Sequence, residues 1–163
     1  MATSTGKASS QLRQTLESES EVVSLFIQLL QQEQSDLAKG RTDGLAELAD
    51  RKNRLAEQLS ALAAERNRVL SENGFATDRP GIETWCSRHP LEKTVADAWA
   101  RVLDLATQAK ELHKLNGELI ALRMRHNSMA LEVLRNAKQP LSLYGPDGQQ
   151  SSGPSTRRIN DSA

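Results

Sequence analysis

The sequence predicts an all-α fold, an elongated antiparallel bundle of three long helices with a short helical connector. Three observations lead to this prediction. Aromatic residues make up only 3% of the chain, which suits long helices packed along a narrow leucine seam better than a broad core. Two stretches carry apolar residues at alternating spacings of three and four, the repeat of packed helices. Glycine and proline stand where these stretches end, as helix-stopping residues do.

The first helix is expected at about residues 14–39, with Gly40 as its C-terminal stop. Residues 1–10 are rich in serine, threonine and glycine, and this composition predicts a disordered N-terminus. The helical domain is therefore expected to span residues 11–149.

The second helix is expected at about Gly44–Glu72, capped by Thr42 or Asp43 and ended by Asn73-Gly74. Its seam consists of Leu45, Leu48, Lys52, Leu55, Leu59, Leu62, Arg66 and Val69. The two charged residues in this seam are expected to set the register of the helices, at some expense in stability.

A connector at 75–89 is expected to hold one short helical turn with Ile82 and Trp85. The last helix should follow at about Pro90–Ala137, since proline suits the first helical position. Its seam is Val95, Ala98, Val102, Leu105, Ala109, Leu112, Asn116, Leu119, Arg123, His126, Ala130 and Val133. Asn116 is a further polar intrusion with the same expected role.

The last helix is longer than its neighbours. Its roughly 48 residues span about 70 Å, whereas the roughly 29 residues of the second helix span about 43 Å. Its C-terminal part should therefore keep an uncovered apolar face, formed by Leu119, Ile120, Leu122, Met124, Met129, Val133 and Leu134. Either an amphipathic helix of a partner docks there, or the first helix or a second copy of the chain covers the face. The last case makes the protein a homodimer.

An apolar extended segment follows Pro140 and carries Leu141, Leu143 and Tyr144 before a turn at 145–148. Such a patch is covered either by the protein's own last helix or by a partner. Residues 150–163 are polar and are expected to be a disordered tail.

The C-terminal third resembles the FlgN family of flagellar type III export chaperones. The similarity lies in Asn116-Gly117-x-Leu119-Ile120-x-Leu122, Ala130-Leu131, Val133-Leu134, Leu143-Tyr144-Gly145 and Asp147-Gly148, and a weaker similarity covers Leu29–Leu59. The resemblance implies a cytoplasmic chaperone that holds the terminal helices of hook–filament junction (hook-associated) proteins. It also implies docking at the cytoplasmic domain of the export gate, through Tyr144 with Leu141 and Leu143, and contact with the export-ATPase-associated stalk protein.

Other functions find little support in the sequence. Lys plus Arg and Asp plus Glu both number 21, so the basic excess typical of nucleic-acid binders is missing. The N-terminus lacks a signal-peptide pattern, and no stretch reaches the roughly 20 apolar residues of a membrane span. A single cysteine, Cys86, fits a reducing cytosol. Neither a metal-ligand spacing nor a phosphate-binding motif occurs, so we expect no cofactor, no metal and no enzymatic activity.

The alternative hypothesis belongs to another functional class. In it, the protein is a constitutive coiled-coil structural or adaptor subunit without transient cargo. The two hypotheses differ in what covers the last helix. A structural subunit should be stably self-associated, whereas a chaperone should leave Met124, Met129 and Val133 accessible until cargo is added.

Overall fold

The computed structural model describes residues 2–137, with side chains from residue 5 onward. These residues form four α-helices: α1 (Ala2–Ala38), α2 (Leu45–Glu72), α3 (Asp78–Arg88) and α4 (Lys93–Ala137). The prediction of an all-α fold with three long helices and a short helical connector is confirmed. Residues up to Ile120 belong to one compact unit and residues from Ala121 onward to a second, and each unit is described by itself.

Helices α1 and α2 form an antiparallel hairpin. Glu19 of α1 pairs with Arg66 of α2, and Glu33 pairs with Lys52, so the partners run in opposite directions along the two helices. Gly40 has a φ of +73° just beyond α1, and it ends the helix in the left-handed conformation that glycine adopts without strain.

The start of α2 differs from the expected cap. Its N-cap residue is Gly44, and no side chain caps the helix. The backbone N–H of Leu45 instead donates to the carbonyl of Thr42 at 3.2 Å. The tight turn therefore uses the backbone of Thr42, and neither Thr42 nor Asp43 serves as the predicted side-chain cap.

The expectation of a disordered N-terminus is wrong for residues 2–10, which are the first turns of α1. Ala8 and Ser9 are 3% and 6% exposed, and Ala8 belongs to the same hydrophobic cluster as Leu12 and Leu16. Tertiary packing therefore outweighs the weak helix propensity of serine, threonine and glycine in this segment.

The connector is more than the single helical turn that was expected, and it contributes to the core. Helix α3 has 11 residues, and Ile82 and Trp85 are both almost fully buried. The core cluster joins all four helices and contains Ala8, Leu12, Leu16, Val69, Leu70, Ile82, Trp85, Val95 and Val102. The rings of Phe75 and His89 lie 5.0 Å and 4.2 Å from Trp85.

Helix α4 begins at Lys93, three residues after Pro90, because the chain first makes a turn in which Glu92 donates to the carbonyl of His89. Its seam packs within the first unit as predicted, since Val95, Val102 and Asn116 are buried. None of the helices in residues 2–137 combines the length and the apolar character that a membrane span requires.

Candidate partner-binding surface

The seam residues of α4 are less buried beyond the boundary between the two units than before it. Positions 95, 98, 102, 105, 109, 112, 116 and 119 are all buried or half-buried. In the terminal segment, which we define as residues 121–137 of α4, every residue except the half-buried Arg123 is exposed. The predicted apolar residues of this segment are therefore uncovered.

The large apolar side chains of the terminal segment are more than two-fifths exposed. Leu122 is 43% exposed, Leu134 is 59% exposed, and Met124, Met129 and Val133 lie between 64% and 67%. Of the two predicted face residues in the first unit, Ile120 is 38% exposed, whereas Leu119 is half-buried. Leu119 therefore belongs to the packed seam and is not freely available to a partner.

These side chains do not form a single face. At about 100° per residue, Leu122, Met129 and Val133 lie within about 40° of one another around the helix. We call these three residues the first stripe. Met124 lies about 160° from Leu122, on nearly the opposite side of the helix. The sequence prediction placed these residues together because they are close along the chain.

Leu131 joins Met124 to make a second stripe. It is 62% exposed, and it lies seven residues after Met124, which is two helical turns along the same side. The sequence prediction did not include Leu131, although its spacing of seven from Met124 was the available signal. Leu134 lies between the two stripes.

The charged residues of the terminal segment are mostly basic. The segment carries three arginines, Arg123, Arg125 and Arg135, and one acidic residue, Glu132. A helix with exposed leucine, methionine and valine on two sides is suited to bind amphipathic helices.

The polar intrusions predicted in the seams form two buried clusters that hold the first unit together. In the first cluster, Arg66 of α2 donates to both carboxylate oxygens of Glu19 on α1. The same guanidinium lies 5.4 Å from the ring centroid of Trp99 on α4. Three helices therefore meet at one arginine.

The second cluster also joins three helices. Lys52 of α2 donates to Glu33 of α1 at 2.7 Å. Asn116 of α4 donates to the other oxygen of Glu33 at 2.9 Å and to the backbone carbonyl of Leu30 at 2.8 Å. A shift of one helix by a turn separates these partners, so the clusters specify the register in which the helices pack.

Burial raises the pKa of Glu19 above its ordinary value, and the charge and hydrogen bond of Arg66 oppose this rise. The carboxylate depends on Arg66 for its stability in the folded protein, because few water molecules reach it.

The residues predicted to dock at the export gate, Leu141, Leu143 and Tyr144, lie outside the described residues. Their role remains a prediction.

Cys86 lies in α3, and His89 is the C-cap residue of that helix. Burial raises the pKa of the Cys86 thiol, which disfavours the reactive thiolate. The Nδ1 atom of His89 lies 2.9 Å from the backbone carbonyl of Trp85. Among residues 2–137, His, Cys, Asp and Glu side chains do not gather into a group that could hold a metal ion.

Comparison with known proteins identifies the family. The family model described as FlgN protein matches residues 1–152. The flagella synthesis protein FlgN of Proteus mirabilis is 30% identical over 141 residues, which cover 85% of this chain and 89% of that protein. The protein of the same name from Yersinia enterocolitica serotype O:8 is 30% identical over 139 residues, covering 84% and 87% of the two chains. No solved structure matches this chain. The helical fold, the family match and these relatives together show that the chain belongs to the FlgN family.

Proposed function

We propose that this protein is a cytoplasmic flagellar export chaperone. It binds the terminal helices of hook–filament junction proteins and delivers them to the cytoplasmic domain of the type III export gate. Membership of the FlgN family and the flagella synthesis names of the relatives support a role in flagellar assembly. The role is binding without catalysis, metal or cofactor.

The observation that carries the proposal is the exposure of the terminal segment. A soluble protein rarely leaves several large apolar side chains uncovered on one helix unless a partner covers them. Met124, Met129 and Leu131 are each more than 60% exposed. The two stripes allow cargo helices to pack on both sides of the segment, and the methionines adapt to cargo helices of different shape.

The proposal is tested by placing a carboxylate in each stripe. Met129→Asp changes the first stripe, and Leu131→Asp changes the second. Each substitution should weaken binding of a purified hook–filament junction protein by at least about 2 kcal/mol, roughly a 30-fold rise in Kd, because it buries a charge in the interface. Isothermal titration calorimetry measures the Kd.

Ala121→Asp is the matched control. It introduces the same charge into the same segment at an exposed position that lies about 60° or more around the helix from both stripes, so affinity should change little. Far-UV circular dichroism should show equal helix content in all variants. Unchanged affinity in both stripe variants places the cargo site elsewhere.

The alternative of a constitutive structural subunit predicts a different result. In that case the isolated protein is a stable homodimer at nanomolar concentration, and Met129→Asp or Leu131→Asp converts it to a monomer. Analytical ultracentrifugation of the wild type and the two variants distinguishes the hypotheses.

Delivery depends on Tyr144 in this proposal, with Leu141 and Leu143 beside it. Tyr144→Ala should keep the fold and the cargo affinity, while the loaded chaperone loses most of its affinity for the gate's cytoplasmic domain. Tyrosine is a frequent interface anchor because its ring combines a large apolar area with a hydrogen-bonding hydroxyl. Equal gate affinities of the two proteins, with and without cargo, assign Tyr144 a structural role. Contact with the export-ATPase-associated stalk protein belongs to the same proposal.

A further inference from the structure

A groove runs between α1 and α2 on a side of the hairpin that α4 does not cover. It has a volume of about 270 Å³ and is lined by Leu25, Gln28, Leu29, Arg51, Arg54, Leu55 and Gln58. Helix α4 packs along another side of α1, where Ser20 and Glu21 line a separate groove with Ala98 and Arg101. The α1–α2 groove, defined by these seven residues, is therefore open to solvent in the first unit.

The floor of this groove is apolar. Leu29 is 5% exposed and Leu25 is 48% exposed, while Leu55 is half-buried. Leu25 is an exposed leucine on a helix that otherwise buries most of its large apolar side chains, so it marks the point at which a partner's apolar side chain gains most from contact.

The rim of the α1–α2 groove is basic. Arg51 and Arg54 line it, and no carboxylate is among the lining residues. Within the described part of the chain, no ion pair involves Arg51 or Arg54, as is also true of Arg88, Arg101, Arg125 and Arg135, but only Arg51 and Arg54 line this groove. Two unpaired guanidinium groups beside an apolar floor favour a ligand that brings both an apolar side chain and carboxylates.

The same side of the hairpin continues for two more heptads. Gln11, Gln14 and Thr15 precede Leu25, Gln28 and Leu29 by 14 residues, and they line a further groove with Ser18, Leu62 and Glu65. Such a spacing keeps residues on one side of packed helices. The length available, about 14 residues or roughly 20 Å of helix, suits a helical ligand that packs along two antiparallel helices.

We infer that the α1–α2 groove is a second docking site, which takes an acidic amphipathic helix of a partner protein. The site is independent of the proposed cargo surface, because it lies on other helices. The terminal segment of a second copy is a poor occupant, since its three arginines against one glutamate repel Arg51 and Arg54.

The experiment uses a fluorescent synthetic peptide of about 20 residues, with leucines at helical spacings of three and four and glutamates flanking them. A matched peptide carries glutamine in place of each glutamate. Fluorescence anisotropy with the full chain measures the Kd of both peptides. The glutamate peptide should bind at least about tenfold more tightly than the glutamine peptide, and the difference should shrink as salt rises from about 0.05 M to 0.3 M because ions screen the charges.

Three protein variants locate the binding site. The double variant Arg51→Gln/Arg54→Gln should weaken binding of the glutamate peptide about tenfold, and Leu25→Asp should weaken it as well. The control Arg101→Gln/Lys110→Gln removes two charges from α4 within the first unit and should leave the affinity unchanged. Arg101 and Lys110 are exposed on a helix, like Arg51 and Arg54.

Several results overturn the inference. These are no measurable binding, equal affinity for the two peptides, or unchanged affinity in Arg51→Gln/Arg54→Gln. Loss of affinity in Arg101→Gln/Lys110→Gln, or in Leu131→Asp of the terminal segment, assigns the peptide to another surface instead. A wild-type dimer that Arg51→Gln/Arg54→Gln converts to a monomer in sedimentation assigns the groove to a second copy. Failure of the cargo variants of the preceding section leaves these measurements unaffected.

Discussion

Replacing Arg66 by methionine removes the guanidinium on which the first polar cluster depends. Arg66 is 8% exposed, and its partner Glu19 is 3% exposed. Methionine occupies similar space and keeps the apolar contacts of the arginine stem. It supplies no hydrogen bond to Glu19 and no cation over Trp99, so the buried carboxylate loses its partner.

The size of the expected loss in the free energy of unfolding follows from this burial. Removing one partner of a buried ion pair lowers the free energy of unfolding by about 3–5 kcal/mol, because the remaining charge is left unpaired. That is a large part of the roughly 5–15 kcal/mol by which domains are stable. Glu19→Leu in the same chain removes the stranded carboxylate. The double variant Glu19→Leu/Arg66→Met should therefore recover to within about 1 kcal/mol of the wild type.

The loss should also depend on pH. Burial already raises the pKa of Glu19 above its ordinary value of 4.5, and Arg66 opposes the rise. Without Arg66 the folded-state pKa is higher still, so the folded variant binds a proton more readily than the unfolded chain. A group with a raised folded-state pKa adds stability as pH falls toward its unfolded value. The deficit of Arg66→Met should therefore shrink between about pH 7 and pH 5.

Urea denaturation followed by far-UV circular dichroism measures these free energies at both pH values. Arg68→Met is the matched control, because Arg68 lies on the same helix and its pairs with Glu65 and Glu72 are about half exposed. It should change stability by less than about 1 kcal/mol. A loss below 1 kcal/mol in Arg66→Met, or a double variant as unstable as the single one, refutes the reasoning.

Other predictions concern single positions. Gly81→Ala should destabilise the protein by more than about 2 kcal/mol, because a Cβ added at this position lies 1.8 Å from the backbone oxygen of Ala76. Gly117→Ala, at a helical site with no atom within 4 Å of the added Cβ, should stabilise it by about 0.5–1 kcal/mol, and urea denaturation compares the two. Asn116→Ala should lower stability by about 1–3 kcal/mol, since two buried hydrogen bonds disappear; an unchanged urea midpoint contradicts this. Cys86 should react with iodoacetamide at pH 8 more slowly than glutathione does, because burial raises the pKa of its thiol, and equal rates measured by mass spectrometry contradict this.

The seams of α2 and α4 could be predicted from the sequence because the spacing of apolar residues determines which side of a helix is buried. The same pattern showed Lys52, Arg66 and Asn116 as polar residues in buried positions. Their acidic partners could not be identified, because Glu19 and Glu33 lie among many polar residues in α1. Only the tertiary structure brings helices together and shows which carboxylates are buried.

Two other features depended on packing that no local pattern reveals. The first turns of α1 have the composition of a disordered segment, yet Ala8 and Ser9 are buried. Helix α3 has few apolar residues, and its contribution depends on Ile82 and Trp85 entering a core made by the other helices. At the candidate partner-binding surface, the sequence identified the exposed segment, but Met124 lies on a different side of the helix from Met129.

Amide hydrogen exchange with and without cargo tests the central claim most directly. All but one of the side chains in the terminal segment are exposed, and helices with few tertiary contacts open at low free energy. In the isolated protein, amides of residues 121–137 should exchange much faster than those of residues 95–119. Addition of a purified hook–filament junction protein should slow exchange in residues 121–137. Full protection of this segment in the isolated monomer, or unchanged exchange in the complex, contradicts the account.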